Sequence, residues 1–112
     1  MNKKQNKVVD KGIEFAKRIG LSPANLMTPT KLSEEASSLH PSLKVKVLGE
    51  KEMDKLGMGL LLGVSQGSDE EAKLIIVEHN GAPDDLSSTV LIGKGLTFDM
   101  GGNSIKPSNN LH

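Results

Sequence analysis

The chain has 112 residues with 14 basic and 14 acidic side chains, three His and no Cys, so its formal net charge is zero. That balance creates no field favouring nucleic acid or an anionic membrane, and the lack of cysteine excludes disulfides, thiolate catalysis and cysteine-ligated zinc. Hydrophobic residues make up 36%, enough for a core, but with two Phe, no Trp and no Tyr that core must be built from Leu, Ile, Val and Met.

The opening "MNKKQNK" carries three lysines. It reads either as a basic arm for nucleic acid or as a solvated, frayed terminus, and the second is preferred. No apolar stretch follows it as a secretory signal would require, and no run approaches the ~18 residues of a membrane span. A soluble protein in the cytoplasm is expected. Residues 7–19 then place Val9, Ile13 and Ala16 at helical spacing, with Val8, Phe15 and Ile19 widening the apolar face. Gly20 supplies a stop. After a linker with two prolines, "LSPANLMTP", Thr28 reads as an N-cap with Pro29 at the first helical position. Leu32, Ala36 and Leu39 make one face of that second helix, over 29–39, and His40-Pro41 ends it.

"LKVKVL", residues 43–48, alternates apolar and charged residues as a half-buried strand does. "GEKEMDKLG" reads as a short helix closed by Gly57. "MGLLLGVSQGS" is ambiguous between helix and strand, and Asp69, Glu70 and Glu71 read as a solvated turn. "KLIIVEH", 73–79, has the continuous apolar centre of a strand covered on both faces. "NGAPDDLSS" is loop by composition, and "TVLIG" within 88–93 reads as another buried strand. Helices interleaved with strands make the class α/β, a mixed sheet flanked by helices.

The chemistry gathers in "VLIGKGLTFDMGGNSIKPS", residues 90–108. Gly93-Lys94-Gly95 is not a Walker loop, because no Ser or Thr follows the lysine and the earlier glycine is missing. Gly57, Gly59 and Gly63 have the wrong spacing for a dinucleotide fingerprint and follow a helix rather than a strand. His40, His79 and His112 share no helical face, so none pairs with another as a ligand set. Lys94, Asp99 and Lys106 remain. They read either as ordinary charges on an exposed loop or as a site placed beyond the carboxyl end of a strand, where α/β sheets bind ligands. A carboxylate offers oxygens to one metal or two, and a lysine amine ligates only once deprotonated, from a free pKa near 10.4.

"LIGKGLTFDMGGNSIKPS" resembles the signature of the leucine aminopeptidase (cytosol aminopeptidase) family of dinuclear-metal exopeptidases. The resemblance extends upstream through "AKRIGLSPANLMTPTKLSEEA", "KLGMGLLLGVSQGS" and "LIIVEHNGAP", in the family's order and spacing, and covers nearly all of 8–111. It implies that residues 1–28 are a linker helix with its proline-containing linker, and that 29–112 are the N-terminal part of the catalytic domain. It further implies two divalent ions, Zn or Mn, with Lys94 an amine ligand to the more exchangeable one and Asp99 the carboxylate bridging both. Lys106 is similar to the catalytic lysine that polarises the scissile carbonyl and steadies the oxyanion. Peptides would be the substrates, losing N-terminal residues such as leucine, and the family's homo-hexamer would be the assembly.

This sequence departs from the family's pattern in two ways. Met100 stands where a small Ser or Thr is usual. Leu111-His112 stand near the family's Met-Asp pair, and neither its third acidic ligand nor its Asn-Thr-Asp-Ala-Glu-Gly-Arg segment occurs in the 112 residues. The expectation is a truncated aminopeptidase chain, inactive alone. The alternative is a non-catalytic member that acts only as a packing or interaction module.

Overall fold

The computed structural model describes residues 3–82, 86–99 and 104–110, apart from the side chains of Lys3, Lys4 and Asn110. Met100, the glycine pair 101–102, His112 and part of the 80–88 loop therefore lie outside the described residues. The chain divides into two compact units, Met1–Gly81 and Ala82–His112.

The first unit opens with helix α1, Lys3–Gly20. It begins four residues before the expected start, and Lys17 and Arg18 in its last turn suit the negative end of the helix dipole. Its apolar face is only partly used: Phe15 and Ile19 are half-buried, whereas Val8, Val9 and Ile13 are exposed. The linker is ordered by a turn in which the Leu26 and Met27 amides donate to the Pro23 carbonyl, and Met27 is buried. Helix α2, Pro29–Ser37, starts as its sequence dictates. Thr28 Oγ1 accepts from the Lys31 amide at 3.2 Å, and Pro29 sits where no amide hydrogen is needed. The helix stops two residues short of the expected Leu39.

Strands β1, Lys44–Leu48, and β2, Leu74–Glu78, form a two-stranded antiparallel sheet. The register pairs Lys44 with Glu78 and Leu48 with Leu74, and the Lys44 ammonium meets the Glu78 carboxylate at 3.2 Å. Leu48 shares a face with Leu74 and Ile76 by the pleat, and there it packs with Met53 and Ala72 to form the core. Both faces of β2 carry apolar residues, as its continuous run predicts, but coverage is incomplete. Leu74 to Ile76 are half-buried and Val77 is exposed.

Between the strands lie α3, Glu50–Lys55, and α4, Gly59–Ser65. Helix α3 starts with the Gly49 amide bonded to Glu52 Oε2 at 3.0 Å. It ends in a Schellman closure, with Gly57 at φ 71° and the Met58 amide reaching the Met53 carbonyl at 3.0 Å. The ambiguous "MGLLLGVS" resolves as helix because Met58, Leu61 and Leu62 fall on one helical stripe and close over Met53. Glu71 is not merely solvated. Its Oε1 accepts the Glu50 amide at 3.2 Å, Lys73 pairs with its other oxygen, and the Glu50 carboxylate takes the Ala72 amide at 2.9 Å. The Lys73 ammonium, aided by the Glu50 amide, holds the Glu71 carboxyl below the ordinary carboxylate range. This clasp ties the start of α3 to the segment entering β2.

The expected strand over 88–93 is absent. Those residues carry no regular structure, and Leu91 and Ile92 are 92% and 94% exposed. A strand needs a neighbour to take its amides and carbonyls, and among the described residues β1 and β2 pair only with each other.

Candidate functional site

All three candidate residues lie in the second unit. The segment before them has no regular structure and exposes its apolar side chains. It turns at Lys94, whose carbonyl accepts the Leu96 amide at 2.9 Å. Lys94 projects into solvent, and among the described residues its ammonium makes no ion pair. Asp99 and Lys106, seven positions apart, are brought together. The Lys106 ammonium donates to Asp99 Oδ2 at 3.2 Å and to the Asp99 backbone carbonyl at 3.2 Å. Pro107 and a short 3-10 turn at Ser108–Asn110 follow.

The pair is partly open to water, the lysine side chain 43% and the aspartate side chain 57% exposed. Opposite charges at this exposure attract weakly, so the geometry is a poised contact rather than a structural anchor. Chemically it offers one carboxylate, one ammonium beside it, and a second lysine upstream.

Two of the three histidines, His40 and His79, belong to the first unit, and His112 lies outside the described residues. His40 Nδ1 accepts the Ser42 amide at 3.2 Å and contacts its hydroxyl, which closes the turn after α2. His79 follows the end of β2. Among the described residues no group of three or more His, Cys, Asp or Glu stands together to hold a metal ion. The described residues therefore do not by themselves fit a dinuclear centre: in this loop they supply one carboxylate, already contacted by a lysine, and one amine. Reading residue types along the chain locates the loop but not this pairing. Two glycines and four other residues separate the two partners, and no periodic pattern signals a contact across them.

Comparison with known proteins places most of the chain. Residues 14–112 match the cytosol aminopeptidase family, catalytic domain. A probable cytosol aminopeptidase of Nitrosococcus oceani is 50% identical over 106 residues, covering 92% of this chain and 21% of that protein. Its counterpart in Rickettsia bellii (strain RML369-C) is 46% identical over 108 residues, 95% of this chain and 22% of that protein. In Pseudomonas aeruginosa the identity is 46% over 107 residues, 93% and 22%. The chain thus spans about a fifth of the length of the curated relatives it matches. At this identity and coverage, the chain belongs to the cytosol aminopeptidase family.

Proposed function

We propose that residues 94–106 are the leading catalytic segment of a metal-dependent aminopeptidase that releases N-terminal residues, such as leucine, from peptides. The support is that this segment lies inside the span matched to the family's catalytic domain and carries Lys94, Asp99 and Lys106 at the spacing of its signature. Asp99 is assigned as the carboxylate bridging two divalent ions, Zn or Mn, and Lys94 as an amine ligand to one of them. Lys106 is assigned as the cation that polarises the scissile carbonyl and steadies the oxyanion, a role that needs fixed positive charge where negative charge develops. The two lysines thus have opposite requirements, neutral at Lys94 and charged at Lys106. One carboxylate and one amine fall short of the three protein ligands usual at a catalytic zinc, so the 112 residues alone are assigned no activity. Peptides are the proposed partners, with the homo-hexamer of the family as the assembly, a cytoplasmic location, and no role for nucleic acid or membrane.

A second reading, a packing or interaction module without catalysis, is favoured by one observation: Leu60, Leu91 and Ile92 are each more than nine-tenths exposed. Grafting residues 90–108 into the full-length Nitrosococcus oceani relative separates the two. In that graft Asp99→Ala should strip both metals, Lys94→Ala should weaken one site, and Lys106→Arg should keep both. Metal analysis showing full occupancy in Asp99→Ala, or metal loss in Lys106→Arg, would refute the roles.

A further inference from the structure

We propose that Asn80 is a site of spontaneous covalent modification. The Gly81 amide nitrogen closes a succinimide on the Asn80 carboxamide, the His79 imidazole takes the amide proton, and water opens the ring to aspartate or isoaspartate. Of the seven asparagines, Asn80 alone precedes a glycine, so no Cβ keeps the attacking nitrogen from the Asn80 Cγ. Residues 79–81 follow β2 without regular structure and are exposed, so no helix or sheet ladder holds the backbone away from the ring-closing geometry. Among the described residues, neither the Asn80 carboxamide nor the Gly81 amide is engaged by a hydrogen bond. The fold adds a proton acceptor. The His79 ring lies against Gly81 on the side where a side chain would stand, with Nδ1 3.0 Å and Nε2 3.4 Å from the position of a Cβ. A neutral imidazole accepts a proton at one ring nitrogen, and this one stands beside the residue whose amide must lose one. The Gly81 N–Cγ bond forms as the Asn80 Cγ–Nδ2 bond breaks. The proton passes from the Gly81 amide through the imidazole to the departing nitrogen, and ammonia leaves. Water then adds at either succinimide carbonyl, so neither an oxidant nor a reductant is consumed. The product carries one more carboxylate, which takes the formal net charge from zero to minus one, two residues from the Glu78 that Lys44 already pairs.

Incubating the 112-residue chain at neutral pH in ammonium-free water labelled with heavy oxygen tests this. Peptide mapping by mass spectrometry, with fragmentation that tells isoaspartate from aspartate, reads the outcome. The peptide carrying residue 80 should acquire one labelled oxygen, well ahead of the peptide carrying Asn25, which precedes Leu26. Gly81→Ala should suppress the reaction. His79→Phe keeps a ring over Gly81 without a proton acceptor and should slow the reaction several-fold in the folded chain. In urea, where the ring is no longer held in place, the unaltered chain and His79→Phe should react at the same rate. An unmodified Asn80, equal folded-state rates with and without the imidazole, or a lead for the imidazole that persists undiminished in urea would overturn the proposal.

Discussion

Met53 is fully excluded from solvent and packs with Leu48 and Ala72, while Met58, Leu61, Leu62, Leu74 and Ile76 close around it. Truncation to alanine removes most of that contact and leaves a cavity, so Met53→Ala should cost about 2–5 kcal/mol. Domains of this kind have only about 5–15 kcal/mol in total, so urea unfolding should show a large drop in midpoint. Leu60→Ala, at a position 91% exposed, should stay within about 0.5 kcal/mol and serves as the control. Composition foretells a core of aliphatic residues and methionine, and the core is that. It does not single out Met53, which stands alone among charges in "EKEMDK" and becomes central only because α3 turns that side toward the sheet. Gly49 is fixed by a different neighbour. A Cβ there would lie 2.5 Å from Glu71 Oε1, so a side chain at 49 would make the Glu71 carboxylate shift from its place in the clasp.

Helices α1 and α2 are joined by charge rather than by burial. The Arg18 guanidinium donates to both Glu35 oxygens, at 3.2 and 2.7 Å, and lies 5.3 Å from the Phe15 ring centroid. The Arg18 hydrogen bond is the main cause of a Glu35 carboxyl held below the ordinary range. A carboxyl whose folded value lies below its unfolded one stabilises the fold above the unfolded value, about 4.3, and loses that contribution as pH falls through the folded one. The stability difference between the unaltered chain and Glu35→Gln should therefore be present at pH 7 and vanish in strong acid. Urea titrations across that range measure it, and the similarly depressed Glu71 cancels because both proteins carry it. Within α1, a Cβ added at Gly12 meets nothing within 4 Å, so Gly12→Ala should stabilise by about 1 kcal/mol with more helical circular dichroism. Local rules carry well where local chemistry decides the element: the Thr28-Pro29 start, the Gly57 stop and the alternation in "LKVKVL" all stand in the structure. They fail for "TVLIG", because apolar β-branched residues become a strand only when another strand accepts their hydrogen bonds, and sequence pattern contains no partner.

At the scale of the whole molecule, apolar side chains stand open in both units, Leu60 and Val64 on α4 and Val90, Leu91 and Ile92 in the second. The candidate site was legible as a resemblance and as a glycine-rich loop with two lysines and a carboxylate. The Asp99–Lys106 contact was not legible, since no periodic pattern links two loop residues seven positions apart. The 112-residue chain by itself should give no hydrolysis of leucine p-nitroanilide above a metal-free blank, because its ligand set is short. The graft of residues 90–108 into the full-length relative puts the catalytic assignment most directly to the test, through its rate of leucine p-nitroanilide hydrolysis with and without Lys106→Arg. The substitution keeps charge but replaces a compact ammonium with a bulkier planar fork. The graft should be active, and Lys106→Arg should lower turnover by about 10²–10³ with metal content unchanged. An inactive graft with full metal content, or a Lys106→Arg variant that turns over as fast as the graft itself, would contradict the assignment.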